Sequence, residues 1–184
     1  MSVSLDEVRR VAATAECLYT KAEVEAALDR MAADMTRDLA AHNPLLLTVM
    51  LGGMLPAAKL IERLDFPFQY DYLHATRYRN ETRGGELFWL TRPSMDLRGR
   101  HVIVVDDILD EGVTLNAIID YCRREGAESV RSAALVRKLH DRRDPSLAVD
   151  YLGLDVPDRY VFGYGMDYKG YLRNVTGIFA LPND

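Results

Sequence analysis

The amino-acid sequence predicts an α/β fold in which a central parallel sheet is flanked by helices and a small hood is built from the chain ends and loops. Apolar runs of strand length alternate with amphipathic, helix-like stretches through the middle of the chain, and this alternation is typical of a parallel sheet with helices on its faces. No internal repeat, linker or low-complexity tract divides the 184 residues. We therefore expect a single domain over residues 1–184, with the hood formed by about residues 1–20 and 155–184.

The first half of the chain begins, after a short N-terminal segment, with a long helix. Thr20 and Glu23 have capping-box spacing, and apolar residues then recur on one stripe, so we expect an amphipathic helix that stops near Pro44. LLLTVM predicts a short strand, followed by a double-glycine turn and a helix, MLPAAKLIERL, in which Pro56 is early enough to be tolerated. FQYDYLHATRY and ELFWLT are strand-like runs on either side of RNETRGG, which predicts a mobile loop or long hairpin tip.

The second half continues the alternation of strands and helices. HVIVV predicts a buried strand, and TLNAIIDYCRREG predicts a helix with Gly126 at its C-terminal cap. SVRSAALV predicts a further strand, followed by the charged loop RKLHDRRDPS. The remaining sequence has short strands between Gly, Pro and Asp residues, which suits the predicted hood.

The composition argues against several classes of protein. The formal net charge of -5 and the pI near 5.4 do not suit a duplex nucleic-acid binder with a broad basic face, so no nucleic-acid partner is expected. Cys17 and Cys122 are far apart and lack metal-ligand spacing, which favours reduced thiols and a cytoplasmic protein. No apolar stretch approaches the ~20 residues that span a bilayer, and the N-terminus has no apolar core of signal-peptide length, so we expect neither membrane binding nor export.

The segment VIVVDDILDEGVTL places three aspartates and a glycine turn directly after a buried strand. Ligands of a parallel sheet bind at the carboxyl ends of its strands, where Asp106 and Asp107 are expected to lie. Adjacent residues of an extended chain point to opposite sides, so the two carboxylates are expected to contact different groups, such as sugar hydroxyls and a metal. After Asp110, Gly112 permits close approach of a ligand, and the Thr114 hydroxyl and the first N–H groups of the next helix suit a phosphate.

The acidic motif alone is compatible with other classes of protein. An apolar strand followed by two aspartates also occurs as a Walker B strand, but the chain has no GxxxxGKS/T motif. The motif also resembles the phospho-acceptor region of response regulators, where the acids lie near the start of the chain. Helix capping with solvated loop charges is the structural alternative, and the Gly-x-Thr turn at the head of a helix makes it less favoured.

VIVVDDILDEGVTL resembles the phosphoribosyl pyrophosphate (PRPP) motif of the type I phosphoribosyltransferases, and the chain from about Thr20 onward resembles their hypoxanthine-guanine branch. Four further motifs stand in the family's order. VMLGGM matches the pyrophosphate loop, which often follows a cis peptide, and ATRYRNETRGGEL matches the flexible loop. LVRKL matches the strand of the purine-facing lysine, and VPDRYVFGYGMDY with YLRN matches the C-terminal region. The resemblance implies the type I phosphoribosyltransferase fold and transfer of the 5-phosphoribosyl group from PRPP to N9 of hypoxanthine or guanine, giving IMP or GMP and pyrophosphate.

The resemblance also implies roles for individual residues. Asp110 is implied as the general base that takes or shares the purine N7 proton, and Lys138 as the donor to the exocyclic oxygen of a 6-oxopurine. Mg²⁺ is the implied cofactor, PRPP and 6-oxopurine bases are the implied partners, and a homodimer or homotetramer is the implied assembly. The implied contacts are Asp106, Asp107, Asp110, Glu111, Gly112, Val113 and Thr114 for the ribose and 5′-phosphate; Leu51, Gly52, Gly53 and Arg173 for pyrophosphate; Arg77 and Tyr78 in the flexible loop; Lys138, Tyr160, Val161 and Asp167 for the purine; and Asp106, Asp107 and Asp167 for the metal.

Three parts of the site depart from the family pattern. Leu51 stands where many relatives have Lys or Arg, so only backbone donors remain there. Glu111 replaces the commoner Ser or Thr beside the 5′-phosphate, and its carboxylate would repel the phosphate unless it turns outward or meets a cation. Arg77 and Tyr78 stand at the usual Ser-Tyr pair, where Tyr78 can still shield the reaction from water and Arg77 could add a cation near the departing diphosphate.

Two other functions remain open on the sequence alone. A regulatory protein that keeps the PRPP fold could sense nucleotides or bind RNA without transferase activity, and a metal-dependent phosphohydrolase could use Asp106 and Asp107. The presence of Asp110, Lys138 and Asp167 together favours catalysis, and the acidic balance gives little support to RNA binding. The four histidines are scattered and are interpreted as structural or solvated: His42, His74, His101 and His140.

Overall fold

A computed structural model describes residues 3–77, 87–142 and 147–182. Within those ranges the chain forms four helices and nine strands. The helices are α1 (Leu5–Thr14), α2 (Lys21–Leu39), α3 (Met54–Ile61) and α4 (Val113–Arg124). The strands are β1 (Glu16–Thr20), β2 (Leu45–Val49), β3 (Gln69–Arg77), β4 (Leu87–Thr91), β5 (His101–Leu109), β6 (Ser129–Leu139), β7 (Tyr151–Pro157), β8 (Val161–Phe162) and β9 (Gly177–Ala180).

Six of these strands form a central sheet in the order β4-β3-β2-β5-β6-β7. Neighbouring strands are parallel except for β3 and β4, which pair antiparallel at one edge. The mostly parallel sheet predicted from the alternation of strands and helices is therefore confirmed. RNETRGG, the loop predicted between β3 and β4, lies outside the described residues.

The central sheet separates two apolar cores. On β5, Val102 and Val104 belong to the core that includes α4, whereas Ile103 and Val105 belong to the core formed with α2 and α3. All four side chains are buried. Burial on both faces explains why this strand is an uninterrupted aliphatic run. Its two aspartates, Asp106 and Asp107, follow this run toward the carboxyl end of the strand.

A second sheet of three antiparallel strands, in the order β1-β9-β8, joins the two ends of the described chain. Ala180 on β9 pairs with Glu16 on one side and with Val161 on the other. These strands fall within the two segments that the sequence predicts for the hood. The preceding strand β7 instead extends the central sheet, so the C-terminal segment contributes to both sheets.

The helices agree with the predicted order, with one addition. The capping box that begins α2 is confirmed, since Thr20 Oγ1 accepts from the Glu23 N–H at 3.4 Å and the Glu23 carboxylate accepts from the Thr20 N–H at 2.8 Å. Helix α1 is the addition; the Ser4 hydroxyl caps it, and Val8 is its one buried residue. No helix within the described ranges is both long and apolar enough to cross a membrane.

Candidate active site

A cleft of about 900 Å³ opens at the carboxyl ends of β2, β3 and β5. Most of the predicted residues that line this cleft come from three segments: the turn after β2, the end of β5 with the loop into α4, and the segment before β9. These residues are Gly52, Asp106, Asp107, Asp110, Glu111, Gly112, Val113, Thr114, Asp167 and Arg173. The predicted residues Leu51, Gly53, Lys138, Tyr160 and Val161 lie outside this lining.

The turn after β2 packs directly against the acidic end of β5. The Met50–Leu51 peptide bond is cis, as the resemblance implies for the pyrophosphate loop. A Cβ atom added to Gly52 would lie 1.8 Å from Oδ2 of Asp107, so only glycine permits this approach. A Cβ atom added to Gly53 would likewise meet backbone oxygens, the nearest being the carbonyl oxygen of Val49 at 2.6 Å. The side chain of Leu51 is exposed.

Asp106 and Asp107 form an electrostatically coupled pair at the end of β5. The backbone N–H of Asp107 donates to Oδ1 of Asp106 at 2.9 Å. Desolvation raises the pKa of Asp106 well above its usual value, and the Asp107 charge raises that pKa further. Desolvation also raises the pKa of Asp107, although a hydrogen bond with Asp106 and the charge of Arg173 oppose the rise. Alternation along a strand predicts separate surroundings for the two carboxyl groups, but in the structure each changes the pKa of the other.

Asp110, the predicted general base, is held through both of its carboxylate oxygens. Lys138 Nζ donates to Oδ2 at 2.9 Å, and His140 Nε2 lies 2.7 Å from Oδ1. Burial by itself would raise the pKa of Asp110, but the hydrogen bonds from Lys138 and His140 outweigh it and hold the pKa below its usual value. Two motifs that are distant in sequence, the acidic segment and the LVRKL strand, therefore meet at one carboxylate.

His140 is a site residue that the sequence pattern does not identify. Its side chain is 4% exposed and contacts Asp110 directly. The sequence RKLHDRRDPS is expected to be a loop, so His140 is not expected to lie beside Lys138. In the structure β6 continues to Leu139, which pairs with Pro157 of β7. The signal that could have found His140 is its spacing, since residues two apart along a strand share a face and Lys138 precedes it by two.

The loop into α4 contains the residues that the resemblance assigns to the 5′-phosphate. Gly112 is the N-cap residue with a φ of 84°, in the left-handed region, and Val113 begins the helix. The first helical turn has N–H groups without partners within the helix, which suit an anion. Glu111 Oε1 lies 4.0 Å from Arg142 Nε, and Arg142 also binds Asp158 at 2.7 and 2.8 Å. Of the two arrangements left open for Glu111, contact with a cation is present.

The C-terminal segment brings an ion pair to the cleft. Arg173 Nη2 lies 2.6 Å from Asp167 Oδ1, and Arg173 also donates to the carbonyl oxygen of Gly165 at 2.6 Å. Gly165 crosses the turn after β2 so closely that an added Cβ would lie 2.1 Å from the carbonyl oxygen of Gly52. The segment predicted to complete the pyrophosphate site therefore packs on the loop predicted to begin it.

Comparisons with known proteins identify the family of this chain. The model of the phosphoribosyl transferase domain family matches residues 15–169. The hypoxanthine-guanine phosphoribosyltransferase of Streptococcus pneumoniae strain R6 is 30% identical over 168 residues, which cover 91% of this chain and 93% of the relative. The chain belongs to the hypoxanthine-guanine phosphoribosyltransferases.

Two further relatives agree with this family. The hypoxanthine-guanine-xanthine phosphoribosyltransferase of Tritrichomonas foetus is 28% identical over 177 residues, 96% of this chain and 93% of the relative. A crystal structure of a hypoxanthine-guanine phosphoribosyltransferase from Bacillus anthracis superimposes with a TM-score of 0.85 at 27% identity, covering 91% of this chain and 98% of that one. The resemblance, the fold and the enzyme class predicted from the sequence are confirmed, and a regulatory or RNA-binding protein without transferase activity is not favoured.

Tyr160 and Val161, the residues predicted to stack on and contact the purine, lie apart from the cleft lining. Tyr160 is 46% exposed, and its ring meets Tyr168 edge-on with 5.7 Å between the ring centroids. Val161 is buried at the start of β8. Arg77 ends β3, and Tyr78 lies outside the described residues together with the rest of the predicted flexible loop.

Proposed function

We propose that this phosphoribosyltransferase acts in purine salvage, transferring the 5-phosphoribosyl group of PRPP to N9 of hypoxanthine or guanine and releasing pyrophosphate. The observation that carries the proposal is the convergence of three separate segments on one cleft: the acidic end of β5, the entrance of α4, and the Asp167–Arg173 pair. The names of the relatives from S. pneumoniae and T. foetus support 6-oxopurine bases as the acceptors.

The 5′-phosphate of PRPP is proposed to bind at the loop from Asp110 to Thr114. The N–H groups of the first turn of α4 and the positive end of the helix dipole favour an anion there. The Thr114 hydroxyl, at the wall of the cleft, can donate to a phosphate oxygen. Arg142, which also binds Asp158, lies 4.0 Å from Glu111 and offsets part of its charge. A phosphate held at this end would fix the orientation of the ribose relative to the base.

The pyrophosphate group is proposed to bind between the turn after β2 and Arg173. The N–H of Gly53 is already donated to the carbonyl oxygen of Val49 at 3.0 Å. We therefore assign the contribution of Gly53 to the shape of the turn and the backbone donors to Leu51 and Gly52. Arg173 supplies, from the other side of the cleft, the cationic side chain that Leu51 lacks.

The acidic pair fits a divalent cation, and we propose Mg²⁺ as the cofactor. Asp106 and Asp107 are adjacent carboxyl groups whose pKa values are raised by desolvation, and a bound cation would favour their ionised forms. Asp167 adds a third carboxylate at the same cleft. These three residues would hold the ion, and Asp106 and Asp107 would also contact the ribose hydroxyls. When bound, Mg²⁺ would neutralise charge on the diphosphate.

The purine is proposed to lie beside Lys138 and Asp110. The ammonium of Lys138 can only donate a hydrogen bond, which suits the O6 atom of a 6-oxopurine and opposes the amine of adenine. Asp110 is ionised at neutral pH because its pKa is held below the usual value, so its carboxylate can take or share the N7 proton. The exposed ring of Tyr160 would stack on the base, and Val161 would contribute backbone contacts.

Further proposals rest on the family resemblance. Arg77 and Tyr78 are proposed to close over the reacting centre, and the assembly is proposed to be a homodimer or homotetramer, which sedimentation velocity would test.

We also propose a cytoplasmic location, without a nucleic-acid or membrane partner. Both cysteines are free, and burial raises the pKa of the Cys122 thiol to about 12, in keeping with a reduced, unreactive group.

Incubation with PRPP, Mg²⁺ and each of hypoxanthine, guanine, xanthine and adenine tests the proposed reaction. Formation of nucleoside monophosphate together with pyrophosphate, from 6-oxopurines and not from adenine, is the expected result. Release of inorganic phosphate from PRPP without nucleotide formation would instead support a phosphohydrolase. Binding of PRPP or nucleotide without any product would support a sensor.

A further inference from the structure

His140 makes a hydrogen bond through each of its two ring nitrogens. Nε2 lies 2.7 Å from Oδ1 of Asp110, and Nδ1 lies 3.1 Å from the backbone nitrogen of Arg142. The side chain is 4% exposed, so water has little access to compete for either nitrogen. The orientation of the ring is therefore set by its two protein partners.

These partners assign the tautomer of the ring. A backbone N–H can only donate, so Nδ1 of His140 must accept the bond from Arg142 and carry the lone pair. The ring proton then lies on Nε2 and is donated to Oδ1 of Asp110. Lys138 donates to the other oxygen, Oδ2, at 2.9 Å. Each oxygen of the carboxylate thus has its own donor.

We propose that His140 is a positioning residue, which together with Lys138 fixes the Asp110 carboxylate in place by binding its two oxygens separately. The inference rests on the proposed role of Asp110 in taking the purine N7 proton. Rotation of the carboxylate would break at least one of the two bonds, and protonation would displace one of the two donors. The base is therefore oriented and ionised in the free protein, before the purine binds.

The charged groups that face Asp110 lie on β6, on the segment after β6 and on the turn after β7. One more, Glu111, directly follows Asp110 in the chain. Arg142 binds Asp158 at 2.7 and 2.8 Å and lies 4.0 Å from Glu111, so the two additional carboxylates face a cation. The protonation state of the Asp110 carboxyl group is consequently determined by the two side chains that bind it directly, Lys138 and His140. Among the residues that the structure describes, these facing groups are Lys138, His140, Arg142, Asp158 and Glu111.

A metal ion is the competing interpretation of this cluster. Ligand atoms of Asp110, His140 and Asp158 lie within 4.8 Å of one another. However, both ring nitrogens of His140 already have partners, and both oxygens of Asp158 bind Arg142. A metal would have to replace these bonds, so the geometry favours hydrogen bonding.

Two substitutions of His140 separate its bond to Asp110 from its bond to Arg142. His140→Asn places an amide near the position of Nδ1, so it keeps an acceptor for Arg142 and removes the donor to Asp110. His140→Gln places its amide nitrogen near the position of Nε2, so it keeps the donor and removes the acceptor. If His140 positions Asp110, His140→Asn should damage activity and His140→Gln should be tolerated. If His140 only anchors the loop through Arg142, the reverse is expected. His42→Asn, at an exposed histidine, is the control.

The first measurement is the titration of the Asp110 carboxyl group by ¹³C NMR in the free protein, with its resonance assigned through Asp110→Asn. His140→Asn is expected to raise the midpoint by about one pH unit, and His140→Gln by about half a unit or less. The second measurement is steady-state turnover. His140→Asn is expected to lower kcat about tenfold with KM for PRPP changed about twofold or less, and His140→Gln is expected to lower kcat about threefold or less.

An unchanged Asp110 titration in His140→Asn, or equal damage by both substitutions, would overturn the inference. The ¹⁵N chemical shifts of the His140 ring in the unmodified protein provide a test that needs no variant, and a proton on Nδ1 would also overturn it. If Asp110→Asn kept full turnover, the proposed general base would be wrong. The titration and the ring tautomer would still decide separately whether His140 orients Asp110.

Discussion

Gly52 and Asp107 stand so close that a Cβ atom on the glycine would lie 1.8 Å from Oδ2 of the aspartate. The contact joins the turn after β2 to the end of β5, two segments that are separated by more than fifty residues. Because Asp107 is buried, its carboxylate has little room to move away. The turn and the acidic pair therefore form one unit of the proposed PRPP site.

Gly52→Ala is expected to lower kcat/KM for PRPP by about ten- to a hundredfold, because the added methyl group must displace Asp107 or the turn. Steady-state kinetics with varied PRPP would measure the change. Met54→Ala is the matched control, since Met54 follows the same turn and its side chain is 46% exposed. Equal kinetics of Gly52→Ala and the unmodified protein would show that this close approach is unimportant for PRPP.

Asp110→Asn is expected to lower kcat by roughly ten- to a thousandfold, which is the usual scale of a general base, with a smaller effect on KM for PRPP. The amide cannot accept the N7 proton, although it preserves the shape of the side chain. Asp120→Asn, at an exposed position on α4, is the control. Full activity of Asp110→Asn would remove Asp110 from the proposed role.

Lys138→Met is expected to raise KM for hypoxanthine by about tenfold or more, because a hydrogen bond from a charged donor to O6 is lost. KM for PRPP should change much less. The adjacent residue provides the control: Arg137 pairs with Asp155 at 2.6 Å, and Arg137→Met removes a charge of the same sign from the same strand. Similar effects of both substitutions on KM for hypoxanthine would contradict base recognition by Lys138.

Arg142→Met is expected to raise KM for PRPP by about threefold, because Glu111 would then face the 5′-phosphate without the cation that lies 4.0 Å away. Both side chains are partly exposed, so the effect should weaken as the salt concentration rises. Adding Glu111→Thr should restore KM in the Arg142→Met background. Purely additive effects in this double-mutant cycle would show that the two residues act independently.

Asp71→Asn is expected to destabilise the fold by about 1–3 kcal/mol at neutral pH. The Asp71 carboxylate accepts N–H bonds from Tyr72, Ser94 and Met95. Burial by itself would raise the pKa of Asp71, but these bonds outweigh it and hold the pKa below its usual value. The stabilisation is therefore full above about pH 4 and is lost as the pH falls through the lowered pKa of the folded protein.

Urea denaturation of Asp71→Asn and the unmodified protein at several pH values would measure this stabilisation. The difference in unfolding free energy should be largest near neutral pH and should narrow in acid. Asp65→Asn, at an exposed aspartate, is the control. A difference that stays constant between neutral pH and strong acid would contradict the role of the Asp71 carboxylate.

The sequence predicts the central sheet and the acidic part of the site because both depend on local patterns. The aliphatic run of β5 requires burial on both faces, and the acids that follow it must then lie at the edge where ligands bind. His140 and the Glu111–Arg142 contact are not predictable in this way. Both depend on where β6 ends, and β6 is extended by its pairing with β7 and not by its own propensity. The two-residue spacing of Lys138 and His140 is the only local signal in RKLH, and it does not show that β6 continues to Leu139.

Helix α1 is a second feature that the sequence does not predict. Val8 is its one buried residue, and Glu7 accepts hydrogen bonds from Tyr168 and Lys169. These partners are more than 150 residues away in the sequence, as the separations of 161 and 162 show. Contacts with partners so far away in the sequence leave no mark on the local pattern of residues 5–14.

The small sheet of β1, β9 and β8 sets the order in which the site can be assembled during synthesis. Ala180 pairs with Glu16 and with Val161, and the Leu181 N–H donates to the carbonyl oxygen of Tyr160 at 3.0 Å. The proposed 5′-phosphate loop, residues 110–114, is complete in sequence long before these bonds can form. A ribosome-bound chain would therefore acquire a place for the sugar phosphate first, and the platform for the base only after residues 177–181 have emerged.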